Sequence, residues 1–438
     1  SLNVSDRDTS VLYYDCTNYF FEIEKEDDNI YADDGSVLEY GFRKNGPSKE
    51  HRPNPLVQMG LFMDSNGIPL AMCLHHGSNN EQNTPIELEK KIIKDFKISK
   101  FIYCSDAGLA SNDIRLFNTF SNRSFIVTQS VKKTTKEFKD TMFNDDGWKH
   151  KAFNTSVDLS TFIKAIDNPS LFEKDSLSEI LKTDTIYKEI YVEKPIDIGL
   201  TKSKNGKSVS DKAIFKQRII VTFSKKYYLY KKQIIERQIE AAKKIIQNNK
   251  SETIRKGPND VTRFIKNLKC DKDGVIIDTQ KTIIDESKIA DELRFCGFYA
   301  VATTLTDPVE DILKVNSKRW EIEESFRILK TNFEARPVFL QNKNRIIGHF
   351  MICYTSLLIY RIIEKKLQFS FPDNNFTVDE IIESLKNMNV NVNIANSIFS
   401  AYTGCNLSDA LESITEVGLN KEVYRNKDIK NILKNISK

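Results

Sequence analysis

The chain has 438 residues, of which 40% are hydrophobic and 29% charged, with only 16 glycines and 11 prolines. This composition excludes a collagen-like, low-complexity or wholly disordered chain and predicts one large or two to three modest globular domains. The 65 basic and 61 acidic side chains leave a formal net charge of +4, which permits a nucleic-acid partner without requiring one.

The seven cysteines are scattered and form no Cys-x-x-Cys pair, which disfavours a disulfide framework or zinc cluster and favours a reducing cytoplasm. The longest apolar run, 350–360, is shorter than the roughly 20 residues that cross a bilayer, so we expect no membrane partner. Neither the G-x-x-x-x-G-K nor the G-x-G-x-x-G phosphate motif occurs, so ATP use is not expected. The chain lacks an initiator methionine and a signal peptide, and we expect it to begin inside a longer protein.

The amino-terminal region predicts three antiparallel strands. Residues 11–23 are rich in aromatic and β-branched side chains, as strands are. After a polar loop, the apolar runs 56–63 and 68–76 are separated by Asp64-Ser-Asn-Gly, which is typical of a hairpin turn. A helix is then predicted to begin with Thr84 as its N-cap and Pro85 at its first position.

Two more strands, 100–105 and 124–129, are each preceded by helix signals, so the order βββαβαβ predicts a mixed α/β sheet. Beyond residue 131 the pattern loosens. There a strand is predicted at 218–223, an amphipathic helix at 228–247, a strand at 297–303, a helix at 308–332 and a mostly helical remainder. We therefore predict one sheet domain in two parts, an insertion between them and a helical end, with limits of 1–131, 132–295, 296–365 and 366–438.

Three acidic residues interrupt these elements. Asp15 lies in an apolar strand, where it needs a partner, a metal or an outward orientation. Asp106 follows a strand, and strand carboxyl ends are where α/β sheets bind ligands, although aspartate is also a common turn residue. Glu323 shares a helical stripe with Arg319 and Lys330, at spacings of four and seven residues. The same stripe also fits an ordinary surface helix with an Arg–Glu pair.

The combination of these residues predicts a metal site. Two aspartates on neighbouring strands and one glutamate on a packed helix could converge, and their oxygens suit two Mg²⁺ ions, or Mn²⁺ in their place, roughly 4 Å apart. Basic residues on both sides of the glutamate would then hold phosphates.

At these residues the chain resembles the DDE transposases of bacterial insertion sequences, in the group with a Y-x2-R-x3-E-x6-K motif on the catalytic helix. The motif reads Arg319-x3-Glu323-x6-Lys330 here, with Asn316 in place of its tyrosine. The similarity covers most of residues 10–365 apart from the insertion. Its other blocks are YYDCTNYFFEIE, GPSKEHRPNPLVQMGLFMDSNGIPL, YCSDAGLAS and EARPVFLQNKNRIIGHFMICYTSLLIYR.

The resemblance implies an RNase H-like mixed sheet flanked by helices, interrupted by an insertion and followed by a helical carboxy-terminal region. It implies a catalytic and metal-binding triad of Asp15, Asp106 and Glu323. The implied reaction is Mg²⁺-dependent cleavage and strand transfer of double-stranded DNA, at element ends and target, by a homodimer in the bacterial cytoplasm at the nucleoid. The candidate DNA-binding residues are Arg319, Lys330, Arg327, Lys49 and Arg52.

Two alternatives remain open. A degenerate transposase that only binds DNA is favoured by Asn316 and by the missing amino-terminal end-recognition region of the family. A structure-specific nuclease without strand transfer would use the same fold. Trp320 adjoins the catalytic stripe and could stack on a flipped base, but we expect it to pack against the core.

Overall fold

The computed structural model describes residues 7–98, 100–151, 154–169, 184–202, 208–248, 260–270, 276–392, 398–402 and 406–436. The chain forms two compact units, the first made of Ser1–Ser124 and Ser317–Lys438 and the second of Phe125–Asn316. The insertion predicted from the sequence has limits of 132 and 295, and these domain limits stay a prediction.

The strands are β1 (Val11–Phe20), β2 (Ile30–Tyr31), β3 (Val37–Glu39), β4 (Leu56–Met63), β5 (Pro69–His76), β6 (Ile102–Ser105), β7 (Ser124–Thr128), β8 (Lys149–His150), β9 (Thr185–Lys202), β10 (Ser208–Ser224), β11 (Ile265–Cys270), β12 (Ile276–Ile284), β13 (Phe298–Thr303), β14 (Val390–Val392), β15 (Ile398–Ser400) and β16 (Val423–Tyr424).

The helices are α1 (Thr84–Phe96), α2 (Asn112–Phe117), α3 (Lys136–Phe143), α4 (Leu159–Asp167), α5 (Lys225–Gln247), α6 (Glu286–Arg294), α7 (Val309–Ser317), α8 (Trp320–Thr331), α9 (Lys343–Ser370), α10 (Val378–Lys386), α11 (Asn406–Thr415) and α12 (Asn426–Ile436).

The first unit is built on a mixed sheet with the strand order β5-β4-β1-β6. β1, β4 and β5 form the predicted antiparallel meander, and β6 lies parallel to β1 on its other side. Every residue of β4 is buried, as expected for a strand covered on both faces. Helix α8 packs against β1, and α9 packs against α8 and β5. The predicted α/β class with a mixed, helix-flanked sheet is confirmed.

The second unit contains the antiparallel strands β7, β13, β10, β9 and β8, in that order. β9 and β10 pair along most of their length as a long hairpin. Helix α5 packs against β10, β12 and α6, and its buried residues are Tyr228, Ile235 and Ala242. Their spacing of seven residues places all three on one side of the helix.

Two helix boundaries differ from the sequence prediction. Thr84 is the first residue of α1, and Asn83 is its N-cap. The Thr84 hydroxyl is not available for capping because it donates to the Glu81 carbonyl at 2.8 Å and lies 2.5 Å from the Tyr14 hydroxyl. The helix predicted at 308–332 is two helices, α7 and α8, which are separated at residues 318–319.

The carboxy-terminal region contains α10 to α12 and also the three-stranded sheet β14-β15-β16, which the sequence did not predict. Strands of two or three residues are too short for an alternating pattern to reveal them.

Helix α9 contains the apolar run 350–360 and extends it in both directions. Among the described residues it is the one helix long and apolar enough to cross a membrane, judged by length and composition alone. About a third of its most apolar stretch is buried inside the protein. Core helices of soluble proteins satisfy the same criteria, so this is weak evidence for a membrane span.

Candidate active site

Asp15 lies within β1, and Asp106 directly follows β6, the neighbouring parallel strand. Val11 pairs with Ile102, Leu12 with Tyr103 and Tyr13 with Cys104, so each paired residue of β1 faces one that is 91 positions later. Asp106 also follows Asp15 by 91 positions, immediately after β6 ends. The register of the two strands therefore brings the two predicted carboxylates side by side.

The turn after β6 holds the Asp106 carboxylate in place. One carboxylate oxygen of Asp106 accepts hydrogen bonds from the backbone N–H groups of Gly108 at 2.8 Å and Leu109 at 3.1 Å. The Leu109 carbonyl in turn accepts from the hydroxyls of Tyr103 at 3.0 Å and Ser105 at 3.1 Å. Both of these side chains are buried, so the turn is fixed to the core.

Burial raises the pKa of Asp15 to about 6. The nearby Asp106 carboxylate contributes to this rise in the pKa, while Lys49, the Cys16 N–H and Arg319 oppose it. The Cys16 N–H donates to the Asp15 carboxylate at 2.8 Å. The pKa of the Asp15 carboxyl group is therefore close to neutral pH. The group interacts electrostatically with one other carboxylate, Asp106, and with two cations, Lys49 and Arg319.

Glu323 does not join the two aspartates. Its side chain is 62% exposed, and its carboxylate lies 3.6 Å from the Arg319 guanidinium. Arg319 thus pairs with Glu323 and also acts electrostatically on Asp15. In the part of the chain that the structure describes, no three His, Cys, Asp or Glu side chains are grouped so as to hold a metal ion. The predicted meeting of all three carboxylates is not seen in this conformation.

Lys330 is largely buried and already paired. Its ammonium lies 3.4 Å from the Glu50 carboxylate and 5.4 Å from the centre of the Tyr19 ring. Burial lowers the pKa of Lys330, and Glu50 counteracts this effect. Arg336 pairs with the same glutamate. Sequence reasoning missed Glu50, although a lone acid in a basic loop is a signal for such a partner.

The other predicted DNA-binding residues lie nearer the surface. Lys49 donates to the Cys16 carbonyl and lies 3.9 Å from Glu81, with 44% of its side chain exposed. Exposed Arg52 stacks 4.2 Å above the Phe20 ring. Arg327 pairs with Glu324 at 3.2 Å and is 57% exposed. Trp320 is also 57% exposed, so the expectation that it packs against the core is wrong.

A buried arginine fixes α8 against α9. Arg361 is 1% exposed, and its guanidinium donates to the Ser325 hydroxyl at 2.9 and 3.1 Å and to the Glu321 carbonyl at 3.1 Å. It also pairs with Glu364 at 2.6 Å and with Glu324 at 3.3 Å. Sequence reasoning missed Arg361, but a charge inside the apolar run LLIYRII is a signal for a buried ion pair.

The β4–β5 turn approaches the same helix from the sheet side. Gly67 has a φ of +76°, and a Cβ at this position would collide with the Glu321 carboxylate. That carboxylate accepts a hydrogen bond from Lys365 at 3.0 Å. Glycine is therefore favoured at Gly67 by its backbone conformation, and any larger residue would force the Glu321 side chain to move.

Asn316, at the position of the motif tyrosine, is buried and donates to the Tyr299 hydroxyl at 2.8 Å. This hydrogen bond lies inside the second unit. The side chain at this position thus makes an internal contact.

The donor chemistry of Asp15 and Asp106 fits a divalent cation. Mg²⁺ is commonly bound by one or two carboxylates, and water and phosphate oxygens complete its coordination. Two adjacent carboxylates, one with a raised pKa, concentrate the negative charge that such an ion neutralises. Glu323 would have to leave Arg319 to contribute a third carboxylate. Comparison with known proteins finds no matching family model and no matching curated sequence.

Proposed function

We propose that the chain is a Mg²⁺-dependent enzyme that cleaves and joins DNA strands, of the DDE transposase type with an RNase H-like fold. The observation that carries this proposal is the proximity of Asp15 and Asp106, which is indicated by the register of parallel strands β1 and β6 and by the electrostatic effect of Asp106 on the pKa of Asp15. Ligands of α/β sheets bind at the carboxyl ends of such strands, and two coupled carboxylates are the donors that a hard cation prefers.

Asp15 and Asp106 would hold the metal. When bound, Mg²⁺ supplies stabilisation for the attacking and leaving oxygens of a phosphoryl transfer. Arg319 would donate charge-assisted hydrogen bonds to a DNA phosphate. Because Glu323 is mostly exposed and, among the described residues, pairs with Arg319 alone, engagement of Arg319 by phosphate would free this carboxylate to join the aspartates.

Exposed side chains near α8 support a DNA substrate. Trp320 and Arg327 are more than half exposed on this helix. The guanidinium of exposed Arg52 stacks on the Phe20 ring. A tryptophan face can stack on a base, and arginine is suited to phosphate. As the resemblance implies, the active form would be a homodimer on DNA in the bacterial cytoplasm, without ATP.

A second candidate is a protein that binds DNA without cleaving it. The pairing of Glu323 with Arg319 and the internal hydrogen bond of Asn316 favour this alternative. The two candidates share the DNA partner and differ in whether Asp106 is needed for a chemical step.

A nicking assay on supercoiled plasmid with Mg²⁺ distinguishes them. We expect Asp106→Ala to lower the nicking rate by about 100-fold or more, because the metal loses a ligand. Asp113→Ala, which removes an exposed carboxylate from α2, should nick like the original chain. Thermal melting checks that both variants are folded.

Equal nicking by the original chain and Asp106→Ala would refute the catalytic assignment. If nicking depends on Asp106, added target DNA shows whether strands are also joined. Nicked products without joined products would make the chain a nuclease of the same fold.

A further inference from the structure

Helix α5 concentrates the positive charge of the protein. It contains seven basic and two acidic residues and thus carries a charge of +5, whereas the whole chain carries +4. The other 415 residues are therefore net acidic by one charge. Such an asymmetry indicates an anionic partner for this helix. The basic residues are Lys225, Lys226, Lys231, Lys232, Arg237, Lys243 and Lys244.

One row of side chains runs along the exposed side of α5, and we call it the α5 row. Its members follow one another at spacings of four, three, four, four and three residues, which align on one helix face. All are exposed except the partly buried alanine. The row contains no acid and lies opposite the buried residues of the helix. The members of the α5 row are Lys226, Tyr230, Gln233, Arg237, Ala241 and Lys244.

The cations of the α5 row are free of ion pairs with the described residues. Elsewhere on the helix, Lys232 pairs with Asp167 at 2.8 Å. Lys243 pairs with Glu240 at 2.8 Å and so neutralises an acid beside the row. Among the described residues, Lys226, Arg237 and Lys244 make no such pair, and only weaker electrostatic effects join Lys226 to Asp184 and Lys244 to Glu240. Their charges can therefore meet an external anion without breaking an ion pair.

We propose that the α5 row binds the phosphate backbone of a DNA duplex. From Lys226 to Lys244 the row spans about 27 Å, at 1.5 Å per residue, and duplex DNA presents one negative charge per about 1.7 Å of axis. Lysine, arginine, glutamine and tyrosine all donate hydrogen bonds to phosphate oxygens. The proposal goes beyond the catalytic function because it assigns a binding surface to the second unit, while Asp15 and Asp106 lie in the first.

A membrane surface is a poorer match for this helix. Helices that lie on membranes insert a broad apolar face between the lipids. The apolar row of α5 is already buried within the second unit, at Tyr228, Ile235 and Ala242. Apart from Tyr227 and Leu229 near its start, α5 exposes mainly polar and cationic side chains, which suit a phosphate backbone in water.

The test compares the triple variant Lys226→Gln, Arg237→Gln, Lys244→Gln with a matched control of equal charge change, Lys386→Gln, Lys427→Gln, Lys430→Gln. The control lysines are exposed and lie in the first unit. Glutamine preserves helix propensity. The affinity for a fluorescent duplex of random sequence is measured with EDTA present, so that cleavage does not interfere.

We expect the α5-row variant to bind duplex about tenfold or more weakly at low salt. The slope of log affinity against log salt, between about 50 and 200 mM, should fall by up to about 2.7, or 0.9 for each lost phosphate contact. The control variant should bind like the original chain. Circular dichroism verifies that both variants keep their helices.

Equal weakening in both variants would overturn the proposal, because net charge alone would then explain binding. Unchanged binding in the α5-row variant would overturn it as well. So would a variant that keeps its DNA affinity but loses binding to phosphatidylserine vesicles, since this result assigns the row to membranes. If the original chain never nicks DNA, but the α5-row variant binds duplex more weakly than the original chain does, this proposal is supported and the catalytic proposal is refuted.

Discussion

At the scale of single residues, Asp15 lowers the stability of the folded protein at neutral pH. It is largely buried, beside a second carboxylate, and its pKa is raised to about 6. A folded protein gains nothing in stability from ionising such a group at neutral pH. Carboxylates with strongly perturbed ionisation are typical of functional sites, where stability is given up for chemistry.

Replacing Asp15 with asparagine should therefore stabilise the protein. Asp15 ionises near pH 3.8 when unfolded and near pH 6 when folded, so the original chain loses stability as pH rises from about 4 to 6. Asparagine has no such loss. We expect Asp15→Asn to raise the free energy of unfolding by up to about 3 kcal/mol above pH 6 and by little below pH 4.

Urea unfolding at a series of pH values measures this difference. Asp33→Asn, at an exposed site, should change stability by less than about 0.5 kcal/mol at every pH. If the difference in unfolding free energy between Asp15→Asn and the original chain does not change between pH 4 and 6, the pKa of Asp15 is not raised by folding.

At the scale of elements, α8 is held from two sides. The guanidinium of Arg361 on α9 reaches Ser325 and Glu321, and Gly67 admits the Glu321 carboxylate beside the β4–β5 turn. A helix with a single apolar stripe could slide along its neighbour. These directional hydrogen bonds fix the position of α8. They therefore also fix where Arg319 and Glu323 lie relative to β1.

Removing the Arg361 guanidinium should cost far more than removing a neighbouring partly exposed cation. Arg361→Met leaves buried Glu364 without its cation and Ser325 without its donor, so we expect unfolding to become easier by about 3–5 kcal/mol. The matched change Lys365→Met breaks a partly exposed pair with Glu321 and should cost about 1 kcal/mol at most. Urea midpoints at neutral pH compare the two, and similar costs would contradict a structural role for Arg361.

At the scale of the whole molecule, the acidic residues proposed to cut DNA and the α5 row proposed to bind it lie in different compact units. Asp15, Asp106 and Glu323 belong to the first unit, and the α5 row belongs to the second. Phosphate contacts fix the register and orientation of a duplex, and the α5 row contains none of the residues proposed for the chemical step. The two activities should therefore be separable by mutation.

This separation can be measured in the nicking reaction, if both proposals hold. The α5-row variant should show a raised KM for plasmid and an unchanged kcat, because it loses binding energy common to ground and transition states. Asp106→Ala should lose kcat while keeping its affinity for duplex in EDTA. A large fall in kcat for the α5-row variant would mean that these cations also act on the chemical step.

Local patterns in the sequence were enough to predict several parts of this structure. Alternating and aromatic runs predicted β1, β4 and β5, and the helical period predicted α5 within three residues of its observed start. The unusual placement of Asp15 and Asp106 was also visible, because a carboxylate in or just after an apolar strand is unusual. Each of these signals extends over a few residues, which is the range over which backbone preference and amphipathicity act.

The sequence by itself determined where β1, β4, β5 and α5 lie and which residues carry unusual charge, because these follow from side chains that are neighbours in the chain. Only the tertiary structure decided the alignment of Asp15 with Asp106 and the pairing of Glu323 with Arg319. It also decided the partners of Glu50 and Arg361 and the side of α5 that is left exposed. These features depend on strand register and helix packing between residues far apart in the chain, and no local pattern encodes such contacts.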